Sequence, residues 1–387
     1  SDLIWRVLRE SHQRLCEGML KYSLGVDCLS ASARERQDTG KFGERRIMIF
    51  DSESVFEENV ITVLKQHGWK DGVLRYPTER DLLDNWKDIL YRNNNDIDRL
   101  GKYPLTDGEM TQIIEQIETL RTPLALNSFV NGRTVSITRD NKEDVAHFGK
   151  EVSLYIYDRK EIAGGKSTYQ IAQQPVYPAK NKMLNSRRGD LVLLINGMPL
   201  IHIELKKSGI PVSQATNQIE KYAHEGVFTG LFRLVQIFVA MNPDDAVYFA
   251  NPGVDKFNPS YYFHWADYNN EPICGGQNPG KDEWKLFIGG TSGTAGLLSI
   301  PMAHQLIGFY TIADSADGCL KVLRSYQYIA ANAISDVVRK CDWEQRPSMP
   351  GRPGGYVWHT TGSGKTMTSF KSAQLIADSH DADKVVF

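Results

Sequence analysis

Two apolar runs on either side of Asn196-Gly197, with ionisable residues at their outer ends, constrain this chain more than any other feature. An Asn-Gly pair between apolar runs is the strongest short-range signal for a β-hairpin, because its turn requires positive φ at both residues. Such a hairpin brings Asp190, just before the first run, close to Glu204 in the second run. Ionised groups beside buried strands destabilise the fold unless they form ion pairs, bind a metal or act in catalysis.

The second strand of this hairpin is predicted to carry a catalytic pair. Strand alternation puts Glu204 and Lys206 on one face, with Ile203 and Leu205 on the other. An isolated Glu-x-Lys is more often an exposed salt bridge, but Asp190 and the apolar strands favour chemistry. Two carboxylates suit Mg²⁺, which activates water and polarises a phosphate, and an adjacent ammonium stabilises the charge that develops. The pattern therefore predicts phosphodiester hydrolysis, with Asp190 and Glu204 as metal ligands.

Polar residues around the hairpin extend this hypothesis. A helix is predicted at residues 214–223, and Gln218 and Tyr222 lie four apart on one of its faces, where an amide and a phenol could reach a phosphate or a metal-bound water. Basic residues on both sides of the hairpin would place positive charge along a DNA backbone, and a solvated basic loop is the open alternative. These residues are Lys180, Lys182, Arg187, Arg188, Lys206 and Lys207.

An early helix contributes one more acidic candidate. Residues 52–67 begin with a serine that can cap a helix and end at a glycine that can stop it. Glu57 falls on the same face as Val60 and Leu64. A carboxylate on an apolar face is either covered by its neighbours or directed at a site.

A glycine-rich turn near the C-terminus predicts a nucleotide site. Residues 359–366 read His-Thr-Thr-Gly-Ser-Gly-Lys-Thr, between a predicted strand at 356–359 and a helix whose apolar face would hold Met367, Phe370, Ala373 and Ala377. In such a loop, backbone N–H groups surround a phosphate at the helix N-terminus, the lysine reaches the β- and γ-phosphates of ATP, and the last hydroxyl ligates Mg²⁺. The predicted nucleotide-binding residues are Thr361, Gly362, Ser363, Gly364, Lys365 and Thr366.

The remaining pattern predicts an α/β protein. Strands are expected from apolar or alternating runs, and helices from the 3.6-residue period. A further helix is predicted at 321–338 and another strand at 384–387, so the C-terminal part is interpreted as the start of a parallel α/β sheet. The predicted strands of the first part are 152–157, 191–195, 200–205 and 231–241.

Length and composition indicate the number of domains, the cellular compartment and the absence of a predicted membrane span. A chain of 387 residues is expected to form two domains, and its formal net charge of −2 provides no general attraction to nucleic acid. Five cysteines without a C-x-x-C pair indicate free thiols and a reducing, cytoplasmic compartment. The uncharged stretch at 286–313 is interrupted by several glycines and a proline, so no membrane span is predicted.

Residues 188–222 resemble the PD-(D/E)-x-K nuclease core, in the variant with a downstream Q-x-x-x-Y that occurs in the motor subunits of type I restriction enzymes. The Asn-Gly-Met-Pro-Leu phrase at 196–200 and the early helix ending at Gly68-Trp69 also resemble that family, whereas Gly189 stands where the motif name has proline. The resemblance implies the following site. Asp190 and Glu204 would be metal ligands and Lys206 the catalytic lysine, supported by Glu57, Gln218 and Tyr222.

The glycine-rich turn resembles the first motif of superfamily 2 helicases, although His359 replaces the first glycine of the full P-loop pattern. The resemblance makes Gln327, on the preceding helix, a candidate for adenine contact. It implies an α/β fold in which a PD-(D/E)-x-K nuclease domain is followed by the beginning of a RecA-like helicase domain. The expected order is a leader of unknown role at 1–47, the endonuclease domain at 48–260, and a linker with a truncated motor domain at 261–387.

The family resemblance implies an ATP- and Mg²⁺-dependent endonuclease subunit that cuts unmodified foreign double-stranded DNA. Cutting would be coupled to ATP-driven translocation in a complex with methyltransferase and specificity subunits. No D-E-x-H motif follows the P-loop, so an N-terminal fragment of a longer motor subunit is expected. Two alternatives remain open: a repair-type helicase-nuclease, and a catalytically silent docking module.

Overall fold

In the computed structural model, everything described below belongs to one compact unit, Ile47–Phe387. The predicted leader at 1–47, the basic residues Lys180 and Lys182, and residues 341–355 before the P-loop lie outside the described residues. The three predicted domain ranges stay predictions. The structure describes residues 50, 52–162, 164–178, 187–254, 256–276, 282–340, 356–380, 382 and 384–386.

Helices surround a central sheet and continue beyond it toward the C-terminus. The first begins at the predicted cap, where the Ser52 hydroxyl accepts the N–H of Val55 at 3.3 Å. Two others begin with capping boxes, in which a threonine and an acidic residue three positions later satisfy each other's backbone N–H groups. The helices are α1 (Glu53–Gln66), α2 (Glu79–Asn93), α3 (Asp107–Thr119), α4 (Pro123–Asn131), α5 (Val212–His224), α6 (Glu283–Gly289), α7 (Met302–Gly308), α8 (Ser325–Lys340) and α9 (Lys365–Ser379).

The strands form a mixed six-stranded sheet of order β1-β4-β5-β6-β7-β8 and two separate hairpins, β2-β3 and β9-β10. Strand β5 pairs with both β4 and β6 in antiparallel orientation, and β6 pairs with β7 in parallel. The strands are β1 (Val73–Arg75), β2 (Thr134–Thr138), β3 (Glu151–Tyr155), β4 (Tyr169–Gln173), β5 (Leu191–Ile195), β6 (Met198–Leu205), β7 (Ile237–Met241), β8 (Ala246–Ala250), β9 (Thr311–Asp314) and β10 (Cys319–Val322).

The predicted hairpin is confirmed as β5 and β6 at the centre of this sheet. Asn196 and Gly197 have φ values of 53° and 83°, the left-handed conformation that a two-residue hairpin turn requires. The register pairs Leu191 with Ile203 and shifts by one residue between Leu193 and Leu194. Both strands are buried along their whole length, as expected for strands covered by helices on both faces. The open end of the hairpin therefore lies at the edge of a rigid core.

Two predicted elements have different boundaries in the structure. The strand predicted at 231–241 is instead a 3-10 turn (Gly230–Leu234) followed by the shorter β7. The N–H of Leu231 donates to the Glu79 carboxylate at 2.8 Å and is therefore not used in a strand. The helix predicted at 321–338 begins only at Ser325, since Lys321 and its neighbours pair with β9. Apolar periodicity alone did not reveal these tertiary contacts.

The C-terminal part departs further from the prediction. Residues 356–359 are not in a strand, and the side chain of Trp358 is 82% exposed. The described residues at 384–386 also have no strand assignment, so the predicted parallel sheet of this part is not formed among the described residues. A strand requires a hydrogen-bonded neighbour, and the described residues supply none here.

No described helix combines the length and the apolar character needed to cross a bilayer.

Candidate active site

Asp190 and Glu204 lie together at the open end of the hairpin, as the turn geometry predicted. Asp190 directly precedes β5, and its Oδ2 accepts the backbone N–H of Leu205 at 2.7 Å. That bond ties the aspartate to the strand that carries Glu204. The Glu204 side chain is fully buried, and Asp190 is close enough to influence its pKa.

The protonation of these two groups is strongly perturbed. Burial, and next the negative charge of Glu204, raise the pKa of Asp190 well above its usual range. Burial also raises the pKa of Glu204 to about 8, against the opposing effect of the Lys206 charge. Two adjacent carboxyl groups whose pKa values are both raised by burial are typical of a functional site.

Lys206 completes the predicted trio. Its ammonium donates to the Leu205 carbonyl at 2.8 Å and lies 3.7 Å from Glu204 Oε1 and 3.7 Å from Glu53 Oε1. The lysine side chain is almost wholly buried, so its position is set by neighbouring atoms and not by solvent. Glu53 on α1, which the sequence analysis did not single out, is a further acidic neighbour of this charge.

Glu57 is buried behind the pair and is close enough for its charge to raise the pKa of Asp190. The Gln173 amide donates to Glu57 Oε1 at 2.5 Å, and the Gln174 amide reaches both carboxylate oxygens at 3.3 Å. Burial raises the pKa of Glu57, while these amide donors oppose the increase. The apolar face of α1 thus carries a carboxylate that is both covered by neighbours and directed at the site.

Gln218 and Tyr222 face each other on α5, and their polar atoms are used within the protein. The Gln218 amide donates to Tyr222 Oη at 2.7 Å, and Tyr222 Oη donates to the Arg188 carbonyl at 2.9 Å. Burial raises the pKa of Tyr222 to about 12, so the phenol keeps its proton at neutral pH. The pair therefore contacts the backbone two residues before Asp190.

His202 and Tyr177 belong to the same cluster, although the sequence analysis did not select them. His202 Nδ1 lies 2.8 Å from Tyr177 Oη, and His202 Nε2 lies 3.2 Å from Glu204 Oε2. Burial lowers the pKa of His202 to about 4, so the ring is neutral. Strand alternation puts His202 on the face of Glu204, and this signal was available in the sequence. Tyr177 is distant in sequence and had no such signal.

The donor set around the pair fits a hard divalent cation. Among the described residues, Glu204 Oε1 is a buried acceptor without a hydrogen-bond partner. The described part of the chain contains no cluster of three or more His, Cys, Asp or Glu side chains suited to a metal. Mg²⁺, however, is commonly bound by one or two carboxylates and keeps several waters. Asp190 and Glu204 are therefore sufficient for Mg²⁺ as protein ligands.

The predicted basic path is only partly available for DNA. Arg187 makes a two-bond ion pair with Glu225, at 2.8 and 2.9 Å, so much of its charge is neutralised. The Arg188 guanidinium lies 5.9 Å from the centre of the Tyr76 ring and is exposed. Lys207 is also exposed. Of the predicted basic residues that the structure describes, Arg188 and Lys207 are thus the exposed ones.

The P-loop residues form a second constellation at the start of α9. Gly362 and Gly364 have φ values of 80° and 81°, and α9 begins at Lys365. The Lys365 ammonium turns back over the loop and donates to the Thr360 carbonyl at 3.1 Å. Lys365 and Thr366 are exposed at the helix N-terminus, where backbone N–H groups favour an anion.

Gln327 lies beneath this loop and is 2% exposed. Its amide nitrogen is 3.2 Å from the carbonyl oxygens of both Ser363 and Gly364, and its Oε1 accepts the N–H of Arg324 at 3.0 Å. A Cβ at Gly364 would lie 2.5 Å from the Gln327 amide nitrogen, so the glycine permits this close approach. Gln327 also lines a cavity of about 200 Å³ with Arg324 and Met367, and its adenine contact stays a prediction.

Helix α9 buries a different face from the predicted one. The buried residues are Thr368, Lys371, Ser372 and Ile376, whereas Phe370 of the predicted apolar face is 42% exposed. The Lys371 ammonium donates to the Thr311 carbonyl of β9 at 3.0 Å and to Gln374 at 2.6 Å. Hydrogen bonds of the polar face to β9 therefore orient this helix, and these bonds could not be predicted from apolar spacing.

We expect Lys371 to make stability depend on pH. Burial lowers the pKa of Lys371 to about 8, so between about pH 8 and 10.5 the unfolded chain binds the proton more tightly than the folded protein. The free energy of unfolding should rise with pH across that window, by up to about 3 kcal/mol relative to Lys371→Met. Urea denaturation at pH 7.5 and 10 measures the difference, with the exposed Lys340→Met as control. Parallel pH curves for wild type and Lys371→Met would contradict the burial of this charge.

Comparison with known proteins finds a family match in each part of the chain. Residues 51–257 match the family described as "Type I restriction enzyme R protein N terminus", and residues 326–387 match "SWI2/SNF2 ATPase". The endonuclease subunit of type I restriction enzyme SsaAORF53P from Staphylococcus saprophyticus is 30% identical over 88% of this chain and 32% of its own length. The endonuclease subunit of type I restriction enzyme SauMSSORF170P from Staphylococcus aureus is 31% identical over 88% of this chain and 32% of its own length.

A relative from Escherichia coli, the type I restriction enzyme EcoprrI endonuclease subunit, is 29% identical over 54% of this chain and 62% of its own length. The chain spans about a third of the length of the staphylococcal relatives. The first family match contains all six predicted nuclease residues and extends over more than half of the chain. The chain belongs to the family of type I restriction enzyme R protein N-termini.

Proposed function

We propose that this chain supplies the Mg²⁺-dependent nuclease site and the start of the ATP-driven motor of a type I restriction endonuclease subunit. The substrate is unmodified foreign double-stranded DNA in the cytoplasm, and cutting is coupled to translocation. The observation that carries the proposal is the Asp190–Glu204 pair, in which Glu204 is fully buried and has an unpartnered oxygen, together with the adjacent Lys206. This arrangement is unfavourable in isolation and becomes favourable when a divalent cation binds.

Each residue of the nuclease site has a chemical role in this proposal. When bound, Mg²⁺ would supply Lewis acidity to the scissile phosphate and acidify an attacking water. Asp190 and Glu204 hold it, and Glu57 adds negative potential from behind. The Lys206 side chain lies beside the reacting phosphate and stabilises the negative charge that develops on the phosphate oxygens. Gln218 and Tyr222 hold the backbone that leads into Asp190.

In the same proposal, the P-loop binds the ATP whose hydrolysis drives movement along DNA. Lys365 binds the β- and γ-phosphates of ATP, Thr366 ligates the accompanying Mg²⁺, and residues 361–364 offer backbone N–H groups. Gln327 contributes to adenine recognition from the cavity beside the loop. The rest of the motor belongs to a longer subunit, consistent with the length of the staphylococcal relatives.

The partners in this proposal are a methyltransferase and a specificity subunit, which recognise the target and its modification. A repair-type helicase-nuclease would carry the same two modules but would act without these partners. A silent docking module would not need a buried lysine beside a buried glutamate and a half-buried aspartate, and the retained trio therefore argues against that alternative.

Co-purification tests the restriction proposal against the repair alternative. We expect the complete subunit to be retained by its methyltransferase and specificity partners on an affinity column, and the complex to cut unmodified but not modified circular DNA when ATP and Mg²⁺ are present. A subunit that cuts both DNAs equally, and is not retained by the partners, would support the repair-type enzyme.

A further inference from the structure

His202 and Tyr177 form a buried polar pair beside the carboxylates. Both side chains are at most 1% exposed, and Tyr177 Oη lies 2.8 Å from His202 Nδ1. On its other side, His202 Nε2 lies 3.2 Å from Glu204 Oε2. A carboxylate that ligates a metal is ionised and only accepts hydrogen bonds, so in the metal-bound form Nε2 must carry the proton that points at Glu204. One carboxylate oxygen of Glu204 is thereby held by a fixed donor.

The same pair also packs against the backbone that carries Asp190. A Cβ at Gly189 would lie 2.5 Å from Tyr177 Oη and 2.9 Å from His202 Cε1, closer than real Cβ atoms approach other heavy atoms. The pair therefore fills the space beside residue 189. This packing gives a physical reason for glycine at the position where the motif name has proline. His202 and Tyr177 thus contact both segments that carry the proposed metal ligands.

The Lys206 ammonium competes with His202 for the Glu204 carboxylate. The Lys206 ammonium lies 3.7 Å from Glu204 Oε1, beyond hydrogen-bonding distance but within the range of a salt bridge. A freely rotating Glu204 would turn toward this ammonium and lose its alignment with Asp190. With Oε2 held by His202, Oε1 is left without a hydrogen-bond partner among the described residues.

We propose that His202, oriented by Tyr177, is a positioning residue that fixes the Glu204 carboxylate so that its Oε1 and Asp190 bind one divalent cation. This inference rests on the proposed Mg²⁺-dependent function. Residues that orient a metal ligand through a hydrogen bond typically change metal affinity about 10–100-fold when they are replaced. His202 is not itself required to touch the metal or the DNA.

Direct metal binding tests the inference without relying on cleavage. The complete subunit is titrated with Mn²⁺ alone, and free Mn²⁺ is measured by electron paramagnetic resonance, because Mn²⁺ prefers the same oxygen ligands as Mg²⁺. The binding lost on Asp190→Asn defines the site. We expect His202→Ala to weaken that binding about 10–100-fold. His202→Gln should restore most of it through its amide donor, and Tyr177→Phe should have a smaller effect in the same direction.

A matched control distinguishes positioning from general structure. His304 is also fully buried and lies 2.8 Å from a tyrosine hydroxyl, that of Tyr169, but its other nitrogen faces the Asp158 carbonyl. His304→Gln should change the melting temperature without changing Mn²⁺ affinity. Unchanged affinity in His202→Ala, or an equal loss in His304→Gln, would overturn the positioning role. Wild type without any Asp190-dependent Mn²⁺ site would instead refute the proposed function, and the inference with it.

Discussion

Lys206→Ala is expected to abolish DNA cleavage by the complete enzyme while ATP turnover continues. The lysine is the buried positive charge next to the proposed phosphate site, 3.7 Å from Glu204. Removing one fixed charge-stabilising group from an active site typically lowers the rate by about 10²–10³-fold. Removal here also leaves the two carboxyl groups without their neighbouring cation, so we expect a loss at the upper end of that range. Asp190→Ala should give the same phenotype through loss of the metal.

The appropriate assay follows linearisation of a one-site circular DNA and phosphate release in the same sample. Lys207→Ala is the matched control, because it removes the adjacent exposed lysine and leaves the Glu204 contact in place. The control should weaken DNA binding at most, and its cleavage should recover at higher enzyme concentration. If Lys206→Ala stopped ATP turnover as completely as cutting, the proposed separation of nuclease and motor chemistry would be wrong.

Lys365→Ala is expected to abolish both ATP hydrolysis and cleavage, although every nuclease residue remains. Lys365 begins α9 and is exposed at the loop where the phosphates are proposed to bind. Its charge-assisted contacts to the phosphates should each contribute about 1.5–3 kcal/mol. Losing two of these contacts removes nucleotide binding at ordinary ATP concentrations. Without ATP the enzyme does not move along DNA, and in this proposal cleavage requires that movement.

This second variant has its own control on the preceding helix. Lys340 is an exposed lysine near the C-terminal end of α8, paired with Asp336 at 2.7 Å, and Lys340→Ala should retain both activities. The substrate is again circular DNA with one target site, supplied with ATP and Mg²⁺. Undiminished linearisation by Lys365→Ala would show that the nuclease acts independently of the motor.

The central hairpin could be predicted because its determinants are local. Asn196 and Gly197 select the turn, and the turn sets which residues of the two strands face each other. The meeting of Asp190 with Glu204 follows from that register, and strand alternation places Lys206 on the same face. These features need no knowledge of distant contacts, which explains why the predicted trio is brought together at one end of the sheet.

The rest of the site depends on contacts between distant parts of the chain. Tyr177 reaches His202 across 25 residues of sequence, and Gln173 reaches Glu57 across 116. No period or turn signal in the sequence predicts such pairs. Helix α9 shows the same limit in another form, because Lys371 is drawn inward by the Thr311 carbonyl. Apolar spacing predicted the opposite face, since it does not account for buried hydrogen bonds.

The most direct test of the central claim is to locate a bound metal in crystals of the protein grown with Mn²⁺. Anomalous scattering identifies Mn²⁺ without prior assumptions about its ligands. We predict a peak within coordination distance of the Asp190 and Glu204 carboxylates, and its loss in Asp190→Asn. A wild-type crystal with no peak at this pair, at Mn²⁺ concentrations that support DNA cleavage, would contradict the proposal that these two residues form the nuclease metal site.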